Sequence, residues 1–180
     1  MSVDEQQALT RTGVVVWRWL GHSANLPLMT ATQGEKSKVA EILNALTPPW
    51  QGTLMERLGI TVTAISLPDD DAANGEVTVT GQMPVDGNTQ PFGTLHGGAT
   101  AALIETLGSV LANLIAEPGL IAVGQHLEVT HLRPVTSGVI VGQAEVLDAS
   151  DDAVTAQVTV SHDGKTTAVS TLRCKLLPRP

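Results

Sequence analysis

The chain has 180 residues, 42% hydrophobic and 16% charged, which fits one compact domain with a modest extension and excludes a disordered chain. A net charge of −8, with three Trp, one Phe and no Tyr, argues against a nucleic-acid-binding or anionic-membrane surface. The single cysteine, Cys174, rules out an intrachain disulfide and suits a reducing compartment.

The opening stretch MSVDEQQALT is acidic and polar, unlike the basic start of a signal peptide, and no run is expected to approach the length of a bilayer span. These features predict a cytoplasmic protein without nucleic-acid or membrane partners. Residues 1–49 read as a helical N-terminal extension, with helices over 4–20 and 35–46, the second halted by Pro48 and Pro49. This part carries no recognisable chemistry and is expected to pack on the domain or on a neighbouring subunit.

Residues 50–180 form the second unit. GITVTAISLP alternates as a strand, which would place Ile60, Val62, Ala64 and Ser66 on one face, and a second strand follows over 76–83. Residues 87–95 read as loop. Residues 97–116 are the long helix of this half, ended by Pro118 and Gly119. Strand-like runs follow at 121–133, 139–148, 153–162 and 166–177, separated by TSG, ASDD and HDGK turns. The order β-β-α-β-β-β-β predicts an α+β fold with one helix lying on a largely antiparallel sheet.

In that helix Ala99, Leu103, Leu107, Val110, Leu111 and Leu114 recur at helical spacing, while Ala101, Ala102 and Gly108 are small enough for a sheet to curl closely around it. A helix so apolar should be buried, which makes its single carboxylate, Glu105, expensive unless it is paired or used. Gly97 and Gly98 open the helix, where backbone N–H groups lack intrahelical partners and the helix dipole adds positive potential. That combination suits a carbonyl oxygen turning negative under attack. On this reading Glu105 is a nucleophile or general base, its pKa raised by burial, Ser109 lies one turn further on the same face, and His96 holds the loop or contacts substrate. The HGG triplet is equally compatible with an ordinary loop-to-helix turn. Glu105 follows Gly97 by eight residues, roughly 12 Å along a helix, whereas an attacking carboxylate must come within about 3.5 Å of its carbonyl. The spacing points to a site shared between two chains.

QPFGTLHGGATAALIETLGS together with VGQHLEVTHLRPVTSG resembles the hotdog-fold acyl-CoA thioesterases. Within them the pattern is similar to the 4-hydroxybenzoyl-CoA thioesterase subclass with a helix glutamate, alongside the enterobactin-pathway proofreading, 1,4-dihydroxy-2-naphthoyl-CoA and phenylacetate-pathway thioesterases. The resemblance covers about residues 50–177. It implies a hotdog fold, an antiparallel sheet wrapped around one long helix, and hydrolysis of an aryl- or medium-sized acyl-CoA to free acid and CoA without a cofactor. It implies Glu105 as the catalytic carboxylate, the Gly97 N–H as oxyanion hole, Gln90 and His96 as orienting residues, and Ser109 as the residue that positions water. His131, Arg133 and Gly98 fall on the substrate-binding side. It further implies a homodimer that forms the site, and a homotetramer. A non-catalytic acyl-CoA-binding protein and a thioesterase acting on a carrier protein are the alternatives. A metal at His126, Glu128 and His131 is not expected, because 126 and 128 share one strand face and 131 takes the other. Arg133 meets a CoA phosphate or supports the turn after it; both readings stand.

Overall fold

The computed structural model describes residues 52–66 and 77–179. The two helices expected within residues 1–49 lie outside the described residues.

A short helix, α1 (Leu54–Leu58), begins where the Thr53 side chain accepts the Glu56 N–H and ends at Gly59, whose φ of 66° takes the left-handed conformation. Then come β1 (Thr61–Ser66), β2 (Thr78–Pro84) and the long helix α2 (Gly97–Ile115). The chain finishes with β3 (Leu120–His131), β4 (Val139–Ala149), β5 (Ala153–His162) and β6 (Lys165–Pro178). The six strands form one sheet in the order β1-β2-β4-β5-β6-β3, every neighbouring pair antiparallel. The α+β class and the order β-β-α-β-β-β-β are as expected, with strand ends moved by one or two residues, and α1 is an addition that the sequence reading did not include.

The sheet wraps α2, and the reason lies in where side chains are missing. Leu107, at the middle of the helix, is fully buried. Gly81 of β2 and Gly142 of β4 are direct partners across the sheet. A Cβ at Gly81 would come to 2.5 Å from Leu107 Cδ2, and one at Gly142 to 2.6 Å from Leu107 Cδ1. The paired glycines are the socket into which Leu107 fits. The reverse arrangement holds at Gly108, where a Cβ would lie 2.6 Å from Leu172 Cδ2 of β6. Around these contacts Leu103, Ile104, Leu111, Val79, Met83, Ile140, Val158 and Val160 are fully buried and close the core. Among the described residues the core holds no aromatic side chain, and Phe92, the only aromatic among them, is 87% exposed.

Two expectations are corrected. Ile60, Val62, Ala64 and Ser66 do not share a face. Val62 pairs with Gly81 and Ala64 with its neighbour Thr80, so Thr63 is an extra residue in a β-bulge. The bulge reverses the alternation, and Ile65 joins Ile60 and Val62 against the core in place of Ala64. Secondly, α2 is long and apolar enough to cross a membrane, at 19 residues and a mean hydropathy of 1.4. Ten of its residues, from Ala99 to Leu114, are buried by the sheet, which makes it the core helix of the domain.

The glycine socket leads to a stability prediction. Gly142→Val should destabilise the domain by about 1–3 kcal/mol, the usual cost of overpacking, read as a fall in denaturant midpoint by far-UV circular dichroism. Leu107→Ala on its own should cost about 2–5 kcal/mol. Combined, the two changes should cost clearly less than their sum, because valine fills part of the space that leucine leaves. Strict additivity would mean that the two side chains do not compete for one volume.

Candidate active site

The segment 85–96 leads from β2 to α2, and its backbone is tied down at both ends. Val85 N–H donates to Gly138 O, and Leu95 N–H to Val135 O. Asn88, a buried residue, connects the rest: its Nδ2 donates to Leu58 O at 2.8 Å and to Pro84 O at 2.9 Å, while its carbonyl accepts the His96 N–H. Within this frame Gln90 closes a tight turn. Its N–H donates to Thr94 O, its carbonyl accepts the Gly93 N–H, and its Nε2 donates to Thr94 Oγ1 at 2.7 Å. The side-chain amide is thereby aimed from a rigid loop.

His96 is the N-cap of α2 in extended conformation, and its Nδ1 accepts the Gly98 N–H at 2.8 Å. A neutral His96 therefore carries its proton on Nε2. The N–H groups of Ala99 and Thr100 go to the His96 carbonyl. The Gly97 N–H has no protein partner among the described residues, although it sits at the positive end of the helix dipole. The His131 ring packs on Gly97, where a Cβ would stand 3.0 Å from His131 Nε2. Only glycine lets the imidazole lie that close to the helix start.

These pieces surround one cleft of about 390 Å³, lined by Gln90, Gly97, Thr100, His131, Arg133 and Thr167 among others. Arg133 reaches it from the end of β3 and also donates from Nη1 to Thr166 O at 2.5 Å, so it braces the β5–β6 hairpin as well. His96 and Gly98 are exposed at the helix cap and do not line the cleft.

Glu105 and Ser109 are elsewhere. The Glu105 carboxylate lies on Gly124 of β3, and a Cβ at Gly124 would overlap it. Burial raises the Glu105 pKa, and the Ser109 hydroxyl beside it offsets part of that shift. Ser109 Oγ lies 3.9 Å from Cys174 Sγ on β6, across from Gly124. Burial pushes the Cys174 thiol up, Ser109 opposes the shift, and the Glu105 charge adds to it. The eight predicted residues thus divide: Gln90, Gly97, His131 and Arg133 at the cleft, His96 and Gly98 at the helix cap, and Glu105 and Ser109 about two and three turns further along α2.

Sequence reasoning missed Gly124, Cys174, Thr100 and Thr167. Gly124 left a signal, since a glycine inside a strand marks a close approach, and Thr100 follows Gly97 by one helical turn. Cys174 and Thr167 left none. Among the described residues no group of three His, Cys, Asp or Glu side chains converges to hold a metal ion. The bulge at Gln125 precedes His126 and leaves His126 and Glu128 on the face opposite His131.

One long buried helix wrapped by an antiparallel six-stranded sheet is the hotdog fold. Residues 92–169 match the thioesterase superfamily. Over 106 residues the chain is 43% identical to the proofreading thioesterase EntH of Klebsiella pneumoniae, covering 58% of this chain and 71% of that one. The fold aligns with the crystal structure of a thioesterase from Haemophilus influenzae at 32% identity and a TM-score of 0.65, over 77% of this chain and 90% of that one. A mutant thioesterase from Pseudomonas aeruginosa aligns at 30% identity and a TM-score of 0.65, over 77% and 94%. The chain belongs to the thioesterase superfamily and is a thioester hydrolase.

The partly buried carboxylate makes stability pH-dependent. Burial holds the folded Glu105 pKa above its ordinary 4.5. The folded state therefore grips the proton more tightly than the unfolded chain does. Its contribution to stability is fully present below about pH 4.5 and is lost as pH rises through the folded value. Glu105→Gln, neutral throughout, should melt higher than wild type at pH 7, with the gap closing as pH is lowered towards about 4. An equal gap at both pH values would show that the carboxylate is not held against its charge.

Proposed function

We propose that the protein hydrolyses the CoA thioester of an aryl or medium-sized acyl group, at a site built from two copies of the chain. The single observation that carries this reading is the separation within one chain. The open Gly97 N–H belongs to the cleft, while the Glu105 carboxylate rests on Gly124 about 12 Å further along the helix. A cleft of about 390 Å³ lies at the small end of the range for ligand sites, which favours an aryl or medium acyl group over a long chain. Arg133 is the cation at its rim for a CoA phosphate.

The thioester carbonyl accepts the Gly97 N–H and a Gln90 amide hydrogen, the second amide hydrogen remaining on Thr94. His131 packs beside the carbonyl. Glu105 of the other copy attacks the carbonyl carbon directly, or removes a proton from a water that attacks it, with the Ser109 hydroxyl orienting carboxylate or water. The C–S bond breaks as the C–O bond forms, and the CoA thiolate leaves and takes up a proton. Direct attack gives an anhydride that water then opens; either route ends in free acid, free thiol and a regenerated carboxylate. The partner has a place to dock: β3 is an edge strand of 12 residues, and beyond Ala122, whose outer groups Asn113 takes, its edge is a template for pairing with a second β3.

Complementation tests the shared site, with free thiol released from aryl-, medium- and long-chain acyl-CoAs as the signal. Glu105→Ala keeps the oxyanion donor and lacks the carboxylate. Gly97→Pro keeps the carboxylate and lacks the donor; proline suits the first helical position, and His96 already has the extended backbone that a following proline requires. Each homodimer should be inactive on every acyl-CoA. Refolded together they should regain up to about a quarter of wild-type activity, because half the dimers are mixed and each mixed dimer has one whole site of two. Inactive mixed dimers of two folded chains would place both halves of the site in one subunit.

A further inference from the structure

We propose that Asn113 is a positioning residue that sets the gap between α2 and β3 in which Glu105 is seated. This rests on the reading of Glu105 as the attacking group. Glu105, Ser109 and Asn113 follow one another at intervals of four and form a single stripe on the helix. Asn113 is the only one of the three whose side chain is fully engaged with the strand. Its Oδ1 accepts the Ala122 N–H at 2.9 Å, and its Nδ2 donates to the Ala122 carbonyl at 3.1 Å and to the Ser109 carbonyl at 2.8 Å.

The pairing with Ala122 has the form of a strand neighbour. In an antiparallel ladder the N–H and C=O of one residue point to the same side. Ala122 stands opposite Leu176 of β6, and the Leu176 N–H turns away to Asp152 O. Ala122 and Leu176 are therefore a non-hydrogen-bonded pair, and the Ala122 groups face the open edge. Asn113 takes both of them.

Two residues further along lies Gly124, the floor under the Glu105 carboxylate. Immediately after it the ladder with β6 slips by one residue at Gln125. A bulged strand bends easily, so pairing with β6 alone does not define how far Gly124 stands from the helix. The Asn113 clamp supplies that definition on one side of Gly124. Glu105 reaches its place through three rotatable bonds, and a seat that moves lets the carboxylate move with it. Displacement of about 1 Å costs up to about a hundredfold in rate when geometry is what limits the step.

Asn113→Leu keeps the branched shape, with a larger volume, and removes all three bonds. In the folded variant kcat should fall by about 10- to 100-fold, while KM changes little, since the cleft residues are untouched. Asn113→Asp retains an acceptor for the Ala122 N–H and loses both donors, and should show a smaller fall. The same substitutions placed on Glu105→Ala should produce no further loss of residual turnover, because there is no carboxylate left to misplace. Wild-type kcat in folded Asn113→Leu would overturn the proposal, as would an equal loss on the Glu105→Ala background, which would assign Asn113 a general structural role. Should the leucine variant fail to fold, wild-type kcat in the aspartate variant overturns it equally. Full turnover in Glu105→Ala alone is a different result: it sinks the catalytic reading of Glu105 itself, and the positioning role with it.

Discussion

The close approach of α2 to the sheet is the contact on which the rest of the domain depends. Leu107 fills the space that Gly81 and Gly142 leave, and Leu172 fills the space left by Gly108. The helix is gripped from both sides of its middle, so most polar side chains along it are at least partly withdrawn from water. Its polar side chains accordingly gather where the strands offer something in return. Thr106 bonds back to Ala102 O on its own helix, Asn113 meets the edge of β3, and Glu105 and Ser109 occupy the opening at Gly124. The packing that makes the fold also decides where a carboxylate can be kept partly out of water.

On the proposed reading, separation of the two half-sites within one chain has an electrostatic use. An unpaired N–H at a helix start attracts any anion within reach, and charge-assisted bonds of this kind are strong. Were Glu105 able to reach Gly97 of its own chain, carboxylate and donor would bind each other in the empty enzyme. Holding Glu105 against Gly124 leaves the donor free for a carbonyl. The raised carboxylate pKa follows from the same placement, which among the described residues offers the charge a hydroxyl and no cation.

Much of this was legible in the sequence because it is carried by local pattern. The run from Gly97 to Leu114 announces a buried helix, HDGK announces the β5–β6 turn, and the HGG start with Glu105 eight residues on gives the spacing between helix start and carboxylate. What escaped was non-local. The extra residue at Thr63 leaves no mark in composition, since a bulge is visible only against its partner strand. Gly124 signals a close approach without saying whose. Asn113 reads as a surface amide until the edge of β3 is placed beside it, and Cys174 as an isolated thiol until the helix stripe is laid over β6. The strand order, with β3 outside β6, belongs equally to the fold and not to chain order.

The aliphatic core has an optical consequence. With no Tyr in the chain, and Phe92 the sole aromatic of the described residues, the wrapped helix and its sheet contain no indole or phenol to absorb or emit in the near ultraviolet. The three indoles, Trp17, Trp19 and Trp50, all belong to the first fifty residues. Intrinsic fluorescence of this protein is a report on that segment. A change in that emission on melting or on ligand binding is therefore read at residues 17, 19 and 50, and not at any aromatic side chain of the helix or the sheet.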